Sequence, residues 1–328
     1  MKKKTLLFSG ILLLIAMMLL GGCNSQASGD EKEPIIFADE NWASLRFHNE
    51  IAGTIIEAGY GYETEQRKGS ASALLTGLRE GDIDVHMEIW KQNNIETYND
   101  GIESGDFVKL SVNFDDNYQG LYVPTYVIEG DPERGIEPMA PNLKYIPDLA
   151  DYEDLFQDPG DKENGRIIGA IPGWEVSELT FETMKEYGLD EQFNYFRPGS
   201  EAAINTSLAD AYKNGEPWVG YNYEPNWVMG KYDMTPLLEK KDTPLSTVAT
   251  QNVEIVSHKS LPERAPEVTE FLKNYQTTSE IANNALDYMQ NEDASAHEAA
   301  IKFLKEEEAL WTEWVPEEVA TKVKEAIE

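Results

Sequence analysis

The sequence predicts a two-lobed α/β protein behind an export leader. Three observations carry that prediction. About 300 residues follow the leader, ample for two lobes with sizeable cores. Strand and helix patterns alternate in both halves. An extended stretch at mid-chain, "FDDNYQGLYVPTYVI", contains Pro124, which forbids helix there, and reads as a strand crossing between lobes.

The leader opens with the basic "MKKK" and runs through the apolar "TLLFSGILLLIAMMLL" to "LGGC", Leu20 to Cys23. Small residues before a cysteine, directly after an apolar run, look like a bacterial lipoprotein signal. Residues 1–22 are expected to be removed, leaving Cys23 as a lipidated first residue that anchors the protein to a membrane surface. The alternative is an uncleaved N-terminal membrane helix, since the run is nearly long enough to span. Residues 23–33 carry no large apolar side chain beyond the cysteine and read as the lipidated Cys plus a flexible tether.

Cys23 is the single cysteine, so no internal disulfide is expected in spite of export. His48, His86, His258 and His297 are scattered, and neither a metal site nor a cofactor is expected. The net charge is −33, and −36 once Lys2, Lys3 and Lys4 leave with the leader. A phosphate backbone would be repelled, which excludes nucleic acid as a partner. A solvated acidic surface accounts for such a charge without any cationic ligand.

The elements follow in order. "PIIFAD" is a strand. "WASLRFHNEIAGTIIEAG" is a helix with Leu45, Ile51, Ile55 and Ile56 at helical spacing and Gly59 as its stop. "YGYETEQR", "SASALLTGLREGD" and "IDVHMEIW" continue as strand, helix and strand, a βαβαβ pattern that predicts a mainly parallel sheet. The Pro-, Gly- and acid-rich stretch after Gly130 is mostly loop, with a short helix near "DLADYEDLF". "GRIIGAIPGW" is strand then loop, and "WEVSELTFETMKEYGL" a helix stopped at Gly188. "SEAAINTSLADAYKNG" is a helix with Ser200 as N-cap. "EPWVGYNYEPNW" is a strand running into a loop. "VATQNVEIVSHKS" is a strand returning to the first lobe, and the tail is helical. The expected division is 34–122 plus 250–328 for the first lobe and 123–249 for the second.

Trp311 and Trp314 lie on the C-terminal helices and Trp218 in an apolar strand; all three read as packing residues. Trp42, Trp90, Trp174 and Tyr223 differ. Each falls just past the carboxyl end of an expected strand, the edge where open α/β sheets bind ligands. Several aromatic faces suit a quaternary ammonium, which has no N–H to donate and is held by ring faces and apolar contact. The competing reading is that some of these rings pack the lobes together.

Taken together, "NWASLRFHNEIAGTIIEAGYGYETE", "LREGDIDVHMEIW", "YQGLYVPTYVI", "IPGWEVSE", "GEPWVGYNYEPNW" and "KYDMTPLLE" make the chain resemble the substrate-binding lipoproteins of ABC importers for glycine betaine and related osmoprotectants, over residues 34–328. The resemblance implies the two-lobed periplasmic-binding-protein fold of type II, with two crossing strands and a ligand cleft between lobes. It also implies capture of glycine betaine, delivery to an ABC permease, and action as a lipid-anchored monomer at the extracytoplasmic face of the cell membrane. Trimethylamine N-oxide, carnitine, proline betaine, dimethylsulfoniopropionate and choline fit the same cage.

By motif position the cage would be Trp42, Trp90, Trp174 and Tyr223. Tyr223 departs from the "YxWxP" pattern of many relatives, and Trp227 is a replacement candidate that reads more readily as packing. Some relatives brace the "PGW" loop with a disulfide; here packing must hold it. The backbone amides of Glu175 and Val176, at a helix N-terminus, are the expected partners of a ligand carboxylate. Some relatives add a histidine soon after the Trp90 position; "WKQNNIE" has none, and Asn94 is the candidate donor instead. Arg46 and His48 are further candidate polar contacts, with a solvated helix face as their alternative. Glu88 either adds negative charge near the ammonium or is a strand-end carboxylate in water. No serine-nucleophile elbow, HExxH or Gly-rich phosphate loop is present, so the chain is not expected to be an enzyme. A secreted hydrolase with a hidden carboxylate pair and a surface adhesin are the rivals from other classes.

Overall fold

The first three strands come from the βαβαβ pattern expected of the N-terminal third. They are β1 (Ile35–Asp39), β2 (Thr64–Lys68) and β3 (Val85–Ile89), joined by α1 (Ala43–Ile55) and α2 (Ala71–Glu80). β1 pairs in parallel with both β2 and β3. The computed structural model describes residues 32–328. The leader, Cys23 and nearly all of the tether, and with them the signal and lipidation readings, lie outside the described residues.

Gly59 does not stop the first helix. The chain runs on through one π-helical turn, Ile56–Tyr60, and ends at Gly61, whose φ of 71° is left-handed. Gly59 instead serves packing, since a Cβ there would come within 2.5 Å of Val319 Cγ1.

α3 (Ile95–Glu103) and β4 (Phe107–Phe114) complete the N-terminal part. The chain then passes to a second sheet through residues 115–118, because β5 (Gln119–Pro124) already pairs there. The division expected between residues 122 and 123 therefore falls inside a strand. Pro124 ends β5 but does not keep the following residues extended. It precedes a short helix, Thr125–Glu129, where the missing N–H costs nothing.

The second sheet adds β6 (Gln157–Asp158), β7 (Asp161–Ile168), β8 (Phe193–Phe196), β9 (Gly220–Tyr223) and β10 (Met234–Pro236). Its order is β10-β5-β9-β7-β6, with β8 pairing β7. β7 runs parallel to both β9 and β8. The two longest helices between these strands bear on the site. α4 (Glu175–Glu186) follows β7. α5 (Glu201–Asn214) is capped by Ser200, whose Oγ accepts from the Ala203 N–H at 3.2 Å.

β11 (Val253–His258) returns to the first sheet and inserts antiparallel between β3 and β4, giving the order β2-β1-β3-β11-β4. The helical tail follows: α6 (Pro266–Asn274), α7 (Ser279–Glu292), α8 (Ala296–Glu306) and α9 (Glu317–Ile327).

Each sheet has its own apolar core. One gathers Phe37, Phe47, Ile51, Met87, Phe271, Phe303 and Trp311. The other gathers Leu121, Val123, Ile167, Phe193, Leu208 and Tyr221. Trp311, Trp314 and Trp218 are buried packing residues, as their positions imply. The Trp311 indole N–H donates to the Leu304 carbonyl at 2.7 Å, and that of Trp218 to Ser207 Oγ at 3.1 Å. Among the described residues no helix is long and apolar enough to cross a membrane.

Candidate ligand-binding site

The carboxyl ends of β1, β3, β7 and β9 deliver Trp42, Trp90, Trp174 and Tyr223 to a common cavity of ≈ 690 Å³. A tight turn aims Trp42. Asn41 has a φ of 69°, and its N–H donates to Asp39 Oδ1 at 2.8 Å. Trp174 is aimed by a type II turn, Ile171-Pro172-Gly173-Trp174. Its N–H donates to the Ile171 carbonyl at 3.1 Å, and Gly173 supplies the required positive φ of 94°. The "PGW" loop is therefore held by hydrogen bonds as well as packing. Ser177 Oγ adds a bond to the Ala170 carbonyl at 3.1 Å.

The rings meet edge to face. Trp90 lies 6.5 Å from Tyr223 at 87°, and Trp174 lies 5.8 Å from Tyr223 at 75°. Tyr221 joins them, 6.5 Å from Trp174 and 6.2 Å from Tyr223. Its hydroxyl donates to Gln119 Oε1 at 2.8 Å. The alternation of a strand puts residues 221 and 223 on one face, so the "YNY" spacing carried this fifth ring. Trp227 stays off the main cavity. It lines an adjoining one of ≈ 200 Å³ with Trp42 and Tyr223, and its ring lies 6.2 Å from Tyr232.

Glu175, Val176 and Asn94 also line the main cavity. Glu175 and Val176 open α4, whose N-cap, Trp174, offers no side-chain acceptor to the first amides.

Arg46 and His48 do not line the cavity. Arg46 turns back onto the turn before its helix. Its Nε lies 2.9 Å from Asp39 Oδ2 and its terminal nitrogen donates to Asn41 Oδ1 at 2.7 Å. It braces the turn that presents Trp42. His48 is fully buried, its Nδ1 2.9 Å from the Tyr275 hydroxyl and its ring stacked on Phe114. Burial lowers its pKa to about 3, so it stays neutral and structural. The solvated face that was the alternative for it does not exist either, because the tail helices cover α1, with Phe303 of α8 edge-on to Phe47.

The cavity wall is acidic. Glu40, Glu88, Glu175 and Glu201 line it, and none of the described lining residues is Lys or Arg. Glu88 is not a carboxylate in water: it is 1 % exposed. Its Oε1 accepts from Ser44 Oγ at 3.0 Å and from the Trp90 indole N–H at 3.1 Å. Burial pushes its pKa up to about 8, against those hydrogen bonds. Burial also raises the Glu201 carboxyl, while hydrogen bonds from Tyr223 and Asn205 pull it down. His86 Nδ1 accepts from the Glu88 backbone N–H at 3.2 Å. Its Nε2 therefore carries the proton that Glu40 Oε1 accepts at 2.7 Å.

Residues 33–306 match the family model for the substrate-binding domain of the ABC-type glycine betaine transport system. The chain belongs to that family. Among curated proteins, the glycine betaine/carnitine transport binding protein GbuC of Listeria monocytogenes is 28 % identical over 170 residues, 51 % of this chain and 55 % of GbuC. The match thus spans about half of that relative's length. Among solved structures, the glycine betaine/L-proline-binding protein ProX of Borrelia burgdorferi superposes with a TM-score of 0.67 at 20 % identity, over 88 % of this chain and 99 % of that one. Lactococcal OpuAC, closed on glycine betaine, gives 0.66 at 19 % identity, over 87 % and 100 %. At such identity the likeness establishes the fold, the type II periplasmic-binding-protein architecture, and the glycine betaine family is set by the domain match.

Proposed function

We propose that the protein is the extracytoplasmic receptor of an ABC importer. It captures glycine betaine between Trp42, Trp90, Trp174 and Tyr223 and delivers it to a permease. One observation carries this reading: aromatic faces from both sheets converge on a cavity lined by carboxyls and by no described Lys or Arg. Such a wall attracts a methylated cation and disfavours a ligand of net negative charge. A desolvated cation–π contact contributes about 2 kcal/mol, so a few such faces plus apolar burial support binding on the order of −8 kcal/mol, in the micromolar range.

The ligand carboxylate sits at the start of α4 on the amides of Glu175 and Val176, with Asn94 as a further donor. The lobes, divided where the chain passes between sheets, close on the ligand by hinge motion. Cys23 carries the lipid that keeps this monomeric protein at the membrane. Its role is capture and release, without chemical turnover. GbuC is named for betaine and carnitine and a structural neighbour for choline, so related quaternary ammonium compounds are the second reading of the ligand.

Tryptophan fluorescence tests the proposal. Glycine betaine is expected to change the emission saturably at micromolar concentration. Glycine, with the same carboxylate and no methyl groups, is expected not to compete at hundredfold excess. Equal competition by glycine, or an unresponsive emission, would contradict it.

A further inference from the structure

The acidic wall holds a group that the capture reading does not use. Glu88 is the penultimate residue of β3, a strand buried at every position. Its Oε1 takes the Ser44 and Trp90 donors, and its Oε2, also buried, has no hydrogen-bond partner. The Trp42 indole Nε1 is likewise buried and without a partner, and its N–H belongs to the set that draws on the Glu88 carboxyl. One carboxyl thus stands at the N–H edges of two cage walls, Trp42 and Trp90.

The charges around it are unfavourable to a carboxylate. Glu40, at the end of β1, repels it, and His86 on β3 is spent on Glu40. Tyr223 of β9 and Tyr275 after α6 face it as neutral phenols, Tyr275 bonded to neutral His48. Glu201 stands behind Tyr223. On β11, the next strand, Glu254 is already paired with Lys91 and Lys109. No described Lys or Arg forms an ion pair with Glu88. A carboxyl taken out of water without a cation keeps its proton.

We propose that Glu88 is the counter-charge of the aromatic cage, and that capture of a quaternary ammonium releases the Glu88 proton to solvent. This rests on the capture reading above. The empty site holds the neutral acid. The incoming cation supplies the missing positive charge, the O–H bond breaks, and the proton leaves to buffer. The resulting carboxylate faces an ammonium that cannot take the proton back. Ionised Oε2 then accepts the Trp42 N–H, which leaves neither atom unpartnered. Both indoles are held at their edges by one anion, with their faces toward the ligand. A pKa near 8 in the empty site places the release within the neutral range.

The sign follows by linkage. Where the empty site binds a proton and the filled site does not, affinity rises with pH. Between pH 6 and pH 7 the dissociation constant for glycine betaine is expected to fall roughly tenfold, and to level off above about pH 9.

The test is calorimetry of the purified protein with glycine betaine at pH 7, in buffers of different ionisation enthalpy. The observed enthalpy is expected to vary with buffer by a slope close to one released proton. Glu88→Gln is expected to bind more weakly at pH 9, with zero slope and no pH dependence. Glu201→Gln, which alters the half-buried carboxyl beside Tyr223, is expected to keep the release. Wild-type protein that binds with zero slope and a flat affinity from pH 6 to pH 9 overturns the proposal alone, whether or not Glu88→Gln folds. A proton release that survives in Glu88→Gln overturns it too. No binding at any pH overturns the capture reading and this proposal with it.

Discussion

Trp90→Ala and Trp174→Ala are each expected to weaken glycine betaine binding at least tenfold while leaving the protein folded. Each substitution removes a ring face from the cavity wall. A desolvated cation–π contact of about 2 kcal/mol corresponds to roughly thirtyfold, and lost methyl contacts add to it. Folding is expected to survive because both indoles are half-exposed and lie at the cavity rather than inside either core. Trp174 packs on the Tyr221–Tyr223 pair, and Trp90 ties its N–H to Glu88, so some local loosening accompanies the loss. Titration of both variants, alongside circular dichroism, checks this. Near-normal binding curves for both would show that the rings join the sheets without holding a ligand.

Glu175→Pro is expected to separate carboxylate ligands from alcohols. Glu175 is the first residue of α4, where proline suits the helix and deletes a single backbone N–H. Trp174 before it has φ −83° and ψ 131°, a conformation compatible with a following proline. A hydrogen bond to a charged group is worth about 1.5–3 kcal/mol, so glycine betaine is expected to lose roughly ten- to hundredfold in affinity. Choline, which has no carboxylate, is expected to change less than twofold. Glu175→Ala keeps the amide and removes a negative side chain, so it is expected to bind betaine at least as well as the wild type. Equal losses for betaine and choline in Glu175→Pro would place the ligand's far end elsewhere.

The aromatic part of the site was legible because it follows from topology. Trp42, Trp90, Trp174 and Tyr223 could be assigned to strand ends from local patterns alone, and parallel sheets bring those ends together. The helix start at Glu175 and Val176 was legible for the same local reason, following a Pro-Gly turn. Residues whose environment is set by distant segments were not. His48 looks like a helix-face residue until the tail, some 250 residues on, covers α1. Arg46 is turned from the cavity by Asp39 and Asn41, a local clamp that an i, i+4 reading of the helix does not consider. For Glu88 the local pattern leaves two readings open, a charge near the ammonium or a carboxylate in water, and the second fails because β3 lies between β1 and β11, which joins the sheet only after the whole second sheet in sequence.

The fold shows the same division. Alternation and spacing found β1, β3, α1 and α2, whose signals are strong and local. β8 was missed because "FNYF" is four residues in a region of turns, and its strand character comes from pairing with β7. Gly59 was read as a stop because a glycine after an apolar helix usually is one. What decides between stop and close packing is Val319, which no local window contains.

The central claim is that the cavity is a receptor for a quaternary ammonium. The most direct test is isothermal titration of purified residues 24–328 with glycine betaine, trimethylamine N-oxide, carnitine and choline in parallel. Micromolar or tighter binding of at least glycine betaine is expected at neutral pH or above. Silence with all four compounds, on protein shown to be folded, would contradict it.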